Sequence, residues 1–306
     1  MSTALQRALA SILIILVGYT LKRLGLFGKN DYSIAAKICL NVTLPAAIIT
    51  GFSTYERDLS LFLIVVLGAL ANAVMLIIAW LATIRVQKRE RLFHIFAMPG
   101  LQIGTFTLPF IGNILGPFGI LVTCMFDSGN ALFASGGTYA IVSSSPQFSG
   151  GEKLTMPALF KRICSNTPFD VYVLSMLWVF FGLPIPKEVL TFIAPAAAAN
   201  PFLAMFMIGL MIEPRLSHAE LAATAKTLIA RYALSVVMAL FFYFCTPFPL
   251  IARQALALIA FSPISALAPI FTDRCGGDGA LSSFAETISI MISLAAMTIC
   301  MVLLGL

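Results

Sequence analysis

Apolar stretches long enough to cross a bilayer follow one another along this sequence, and only short polar gaps divide them. A helix needs about 20 mainly apolar residues to span roughly 30 Å of hydrocarbon. Runs of this kind occupy Ala4–Phe27, Tyr32–Phe52, Leu59–Ile84, Leu92–Leu115 and Phe118–Val142. After a polar stretch they resume at Phe169–Leu183, Val189–Ile212, Ala222–Cys245, Ile251–Phe271 and Leu281–Leu304. The sixth run is short and its start is ill defined. The first is not preceded by a basic segment or a small-residue cleavage site, so it reads as a retained span. The expectation is an all-α polytopic membrane protein with ten transmembrane helices. Composition agrees: 60% of the 306 residues are hydrophobic and 10% are charged, against about 25% charged in a soluble domain. The net charge of +6 does not point to nucleic acid, because the basic residues fall in the gaps and form no basic-aromatic stripe.

Those gaps encode orientation, since Lys and Arg collect in cytoplasmic loops. With the N-terminus outside, the inner side receives Lys22, Arg23, Lys29, Lys37, Arg85, Lys88, Arg89, Arg91, Lys153, Lys161, Arg162, Arg215, Lys226, Arg231 and Arg274. The outer side keeps Arg7, Arg57, Lys187 and Arg253. A miscounted span would scramble this segregation. The pattern therefore predicts a multi-pass protein of the cell (inner or plasma) membrane, with both termini on the non-cytoplasmic side.

Five spans on each side of a polar gap suggest an internal repeat. An odd number of spans per copy makes the second copy enter the membrane inverted, a plan common among transporters. The copies are 1–142 and 168–306, joined by a cytoplasmic linker over 143–167. Prolines support the pairing: Pro45 and Pro201 are 156 residues apart, Pro109 and Pro263 are 154 apart.

Spans four and nine carry the functional signal. Pro109 lies within Gln102-Ile-Gly-Thr-Phe-Thr-Leu-Pro109, and Pro263 within Ser262-Pro-Ile-Ser-Ala-Leu-Ala-Pro269. Proline removes an amide donor and clashes with the preceding turn, so neither span is one regular helix. Irregular backbone at membrane depth survives only inside protein or beside a watery cavity. A break just before each deep proline falls near the midplane and exposes a new helix N-terminus with about half a positive charge. Two such ends, crossed, form an anion site without any arginine in the membrane. Gln102, Thr105, Thr107, Pro109, Ser262, Pro263 and Ser265 are the candidate substrate-binding residues. The alternative is that the prolines are packing kinks, and that Gly100/Gly104 and Gly112/Gly116 only bring helices close.

The stretch from Gln102 to Pro109, closing with Gly116-Pro-Phe-Gly119, resembles the crossover helix of the auxin efflux carrier family. Asn41-Val-Thr-Leu-Pro45-Ala, Asp127-Ser-Gly-Asn130-Ala-Leu and the segment from Pro201 to Leu210 are similar too, as are the ninth and tenth spans. The resemblance covers nearly the whole chain. It implies inverted repeats crossing at spans four and nine, a scaffold of spans one, two, six and seven, and a moving transport domain of spans three to five and eight to ten. It also implies elevator-type transport of small organic anions such as carboxylates or auxin-like acids, with structural roles at the crossover for Asn41, Pro45, Asn130 and Pro269. A homodimer through the scaffold is a further expectation. Gln102 and Thr107 replace the smaller Asn and Gly of the family pattern, and the long loop of plant members is absent, as in a short microbial type. The wider grouping includes the bile acid carriers, so a sodium-coupled symporter is the alternative within carriers. The ninth span offers no carboxylate between Ala260 and Phe271, which favours protons or uniport.

Ionisable residues inside spans default to function. Asp127, deep in span five, is the candidate for coupling. Glu286 reads as structural, and Lys37 and Arg231 as snorkelling toward the inner face. His94 and His218 fall at loop edges without a metal partner at helical spacing. The six cysteines (Cys39, Cys124, Cys164, Cys245, Cys275, Cys300) form no C-x-x-C pair and read as small hydrophobes. No metal and no cofactor are expected. Neither is an enzyme, since H-E-x-x-H, G-x-S-x-G and Walker A patterns are missing. A channel is the rival from another class.

Overall fold

A computed structural model describes residues 3–28, 30–53, 63–148, 167–212 and 218–306. Lys29, Arg57, Lys153, Lys161, Arg162 and Arg215 of the orientation pattern lie outside the described residues, as do the start of the third apolar run and most of the 143–167 linker. Among the described residues every regular element is a helix. They run α1 (Thr3–Arg23), α2 (Tyr32–Ser53), α3 (Leu63–Ala82), α4 (Lys88–Ala97), α5 (Ile103–Gly116), α6 (Phe118–Ser144) and α7 (Thr167–Phe180). The second half continues with α8 (Lys187–Met211), α9 (His218–Cys245), α10 (Leu250–Ile259), α11 (Ala268–Arg274) and α12 (Gly279–Leu303). By length and composition α2, α3, α6, α8, α9 and α12 are each able to cross a membrane. The chain is thus an all-helical, multi-pass membrane protein.

The spans expected fourth and ninth are each divided in two, as α4/α5 and α10/α11. The first division corrects the expected position. It does not lie just before Pro109 but over residues 98–102, around Pro99 and Gly100, whose φ of 77° needs a glycine. Pro109 sits in the first α-helical turn after a π-turn at Ile103–Thr107, where a missing amide costs little. Pro263 does lie in the second break, and Pro269 in the first turn of α11.

Helix packing falls into two sets. In one, α1 lies along α8, which also packs on α2, and α2 carries α7. In the other, the segment Leu108–Leu132, which ends α5 and begins α6, packs on α3 and α10, α9 packs on α10 and α12, and α11 and α12 on α4. The same Leu108–Leu132 segment joins the sets, touching α1, α2 and α8. Small residues allow the closest approaches, as expected where lipid gives no hydrophobic drive for helix association. A Cβ on Gly129 would stand 2.0 Å from the Val65 carbonyl oxygen, and one on Gly209 would stand 2.1 Å from that of Ile15. Because both obstacles are backbone, Gly129→Ala is expected to force α3 from α6 at a cost of about 1–3 kcal/mol. Thermal unfolding of the purified variant checks this, and an unchanged Tm would contradict it.

Candidate functional site

Breaking a helix orphans carbonyls on one side and amides on the other, so each must find a partner if the break is buried. Here several of them pair across the two breaks and with neighbouring helices. The two breaks lie against each other as an antiparallel pair, Leu101 opposite Ile264. Gln102 N–H donates to the Pro263 carbonyl (3.0 Å) and Ser265 N–H to the Gly100 carbonyl (2.9 Å). Gly100 N–H donates to Asn72 Oδ1 on α3 (2.7 Å). Asn130 on α6 pairs with Leu101 at both ends, accepting from its N–H (2.8 Å) and donating to its carbonyl (2.9 Å). Ile264 N–H donates to Ser289 Oγ on α12 (3.0 Å).

The carbonyl ends are held by Arg231 of α9, which is 0% exposed. Its guanidinium donates to the carbonyls of Ala97 (2.7 Å) and Met98 at the end of α4. It also donates to those of Ser262 and Pro263 after α10 (3.1 Å each). Two helix C-termini, each carrying about half a negative charge, are met there by one cation. This overturns the expectation that Arg231 snorkels to the inner face and that no arginine takes part. The snorkelling argument assumed a free path to water, and α4, α10 and α12 close it. His94, expected at a loop edge, is likewise buried within α4, bonded to Thr227 of α9 and to Glu90.

Beside the paired breaks lies a cavity of about 210 Å³. Gln102, Thr105, Asp127, Ser128, Asn130, Ser135 and Ser265 supply its polar lining, while α2 contributes only Leu40, Leu44 and Ile48. Three π-turns, Cys39–Thr43, Ile103–Thr107 and Phe133–Gly137, border it. Such turns inside α-helices occur often at functional sites. The first-turn amides of α5, at Gly104 and Thr105, have no helical acceptor ahead of them and flank the cavity. Asp127 reaches the same turn: a Cβ on Gly104 would stand 3.8 Å from Asp127 Oδ2. Its other oxygen accepts from Asn130 Nδ2 (2.8 Å).

Gln102, Thr105 and Ser265, with Asp127 and Asn130, are thus brought to one cavity. Gln102 Nε2 donates to Thr105 Oγ (3.1 Å), whereas Gln102 Oε1 is buried without a partner. Thr107, Pro109, Ser262 and Pro263 do not line the cavity. The Thr107 hydroxyl is bonded to Ser262 Oγ (2.7 Å), and all four are buried in the packed crossing. Asn41 is exposed on α2 and donates to the Lys37 carbonyl (2.8 Å). Pro45 is buried in α2, following the π-turn whose Thr43 donates to Asn200 of α8 (2.8 Å). Asn72 and Ser289 were not singled out in the sequence, and Arg231 was read only as snorkelling. Arg231 and Asn72 carried a usable signal, as polar side chains well inside apolar runs; Ser289 carried none.

Residues 4–150, which include α1 to α6, match the family model described as membrane transport protein. This part of the chain is thus similar to the auxin efflux carrier family. It is also similar to an uncharacterized transporter of Methanothermobacter thermautotrophicus, 26% identical over 307 residues that cover 98% of each chain. Both similarities point to a membrane transport protein and not to an enzyme.

Proposed function

We propose that this transporter carries small organic anions, such as carboxylates or auxin-like acids, by elevator-type alternating access. One observation carries the reading: every polar side chain lining the cavity comes from the breaks, α5 and α6, whereas α2 faces it with Leu40, Leu44 and Ile48 alone. A solute held by the crossing and α6 has no hydrogen bond to α2, so it moves with its own side while Leu40, Leu44 and Ile48 slide past. In this reading α1, α2, α7 and α8 form the scaffold, and α3–α6 with α9–α12 form the transport domain. The two sets of packed helices support this division.

The copies 1–142 and 168–306 are then inverted repeats, with the linker cytoplasmic and both chain ends on the other side. Antiparallel pairing of the two breaks supports the inversion. Helices α4 and α10 have 10 residues each, about 15 Å and half the hydrocarbon thickness, which puts the crossing near the midplane. The solute's carboxylate binds the first-turn amides of α5, where the dipole favours negative charge, with Thr105 and Ser265 as hydroxyl donors. Asp127 at the same turn cannot stay ionised beside a second carboxylate without strong repulsion, so a proton accompanies the solute. A titratable neighbour on its own helix is Cys124.

A panel of carboxylates scored by thermal stabilisation of the purified protein, with and without sodium, tests this. Saturable stabilisation independent of sodium is expected, together with counterflow in proteoliposomes. Absence of stabilisation by any acid, or ohmic current in place of counterflow, would overturn it.

A further inference from the structure

The two breaks are held by residues at matching positions of the two halves. Leu101 and Ile264 face each other across the pair; the Leu101 amide donates to Asn130 of α6 and the Ile264 amide to Ser289 of α12. Asn130 and Ser289 are 159 residues apart. So are Asn72 and Arg231, which hold the breaks from α3 and α9. The same spacing relates Asp127 to Glu286, each three residues before the side chain that receives the amide. Because the breaks run antiparallel, α5 and α11 leave the crossing in opposite directions. Asp127 lies by α5. Glu286 lies one turn before Ser289 on α12, the helix on which α11 packs.

Glu286 is the eighth residue of α12, about 10 Å into a span. It continues the buried stripe of Ile290, Ser293 and Met297, and it stands opposite Met291, Ala295 and Ile299 on the exposed face. Glu286 itself is half-buried, so its accessible surface opens into the protein and not to lipid. Among the described residues its carboxylate makes no hydrogen bond or ion pair. The helices packed on α12 are α4, α9, α10 and α11, and none of their charged groups acts on it. Arg231 is held by four carbonyls, His94 by Thr227 and Glu90, and Arg89 by Asp278. Tyr232 bonds Ser289 and Ser293, Arg253 bonds the Tyr243 carbonyl, and Asp273 lies beside Gly279, two turns away.

We propose that Glu286 is a second proton-binding site of the transporter, on the far side of the crossing from Asp127. An unpaired carboxylate is too costly to keep ionised once the space beside it closes. The transport domain therefore moves only after Glu286 has taken a proton from the water it faces, and the proton returns to water after the move. The loaded and the empty domain both need it, so Glu286 sets the rate and leaves the driving force to Asp127. This rests on the moving-domain reading above, and it replaces a purely structural role for Glu286.

Carbodiimide labelling reads the site in the native protein, since carbodiimides add to carboxyls in the protonated form. An adduct mapped by mass spectrometry to Glu286, fading as the pH rises, is expected. An unlabelled Glu286 overturns the inference whether or not any variant folds. Counterflow of a labelled carboxylate, at equal pH on both sides of the proteoliposome, reads the role. Each carboxylate that must be protonated adds about a tenfold fall in rate per pH unit on the alkaline side. Glu286→Gln is expected to remove one such factor and Glu286→Asp to retain it. A folded Glu286→Gln protein with the native pH profile overturns the inference. If the native protein exchanges no acid at any pH, the carrier reading itself has failed, and the inference with it.

Discussion

Arg231→Met is expected to dismantle the crossing. The guanidinium donates to four backbone carbonyls, two after α4 and two after α10, with no exposure to solvent that could replace it. Each buried carbonyl left unpaired costs about 1–3 kcal/mol. Four together approach the whole margin of about 5–15 kcal/mol that holds a typical domain folded. The loss is also electrostatic, because two negative helix ends would then face each other without a cation. Lysine is not expected to rescue the variant, since a single ammonium lacks the planar fork that reaches both chain segments. The expected result is little folded protein in detergent, or a Tm lower by about ten degrees or more. A variant of normal Tm and normal transport would show that the crossing does not depend on this residue.

Asp127→Asn is expected to separate transport from its driving force. In the proposed mechanism the carboxylate and the solute compete for the same α5 turn, and protonation of Asp127 relieves the conflict. Lowering the pH on the loading side is therefore expected to speed uptake by the native protein. Asparagine is neutral at every pH and retains an oxygen able to accept from Asn130, whose amide now lies 2.8 Å from the carboxylate. Counterflow at fixed pH should continue in the variant, while accumulation driven by a pH gradient should fall about tenfold or more. The measurement is uptake into proteoliposomes with and without an imposed pH gradient. An undiminished response to the gradient would remove Asp127 from the coupling path.

Much of this arrangement was legible in the sequence, and the reason is the solvent. Lipid requires about 20 apolar residues per crossing, and each apolar run is mostly helical where it is described, apart from the breaks in the fourth and ninth. Pro263 marked the break in the ninth span because an amide is missing where a ladder bond is needed. Pro109 misled, since proline is tolerated in a first turn, and the true break at Pro99–Gly100 depends on a positive φ that only the folded backbone shows. Arg231 was misplaced because depth along a helix says nothing of which neighbours close the path to water. Gln102, Thr105 and Ser265 were within reach of residue-type reasoning. The separation of these from Thr107 and Ser262, which satisfy each other, depends on helix rotation about the crossing. The π-turns that turn Leu40, Thr105 and Ser135 toward one space left no periodic mark in the sequence.

The central claim is that the cavity at the crossing is where the solute sits, and filling it tests this most directly. Gly104 borders the cavity, and a Cβ there would meet only Asp127 Oδ2, at 3.8 Å. Gly104→Leu therefore enters open space without displacing backbone, and leucine favours the helix more than glycine does. Counterflow of a labelled carboxylate should fall about a hundredfold in the variant while its Tm stays at or above that of the native protein. A folded Gly104→Leu protein exchanging carboxylate at the native rate would contradict the account.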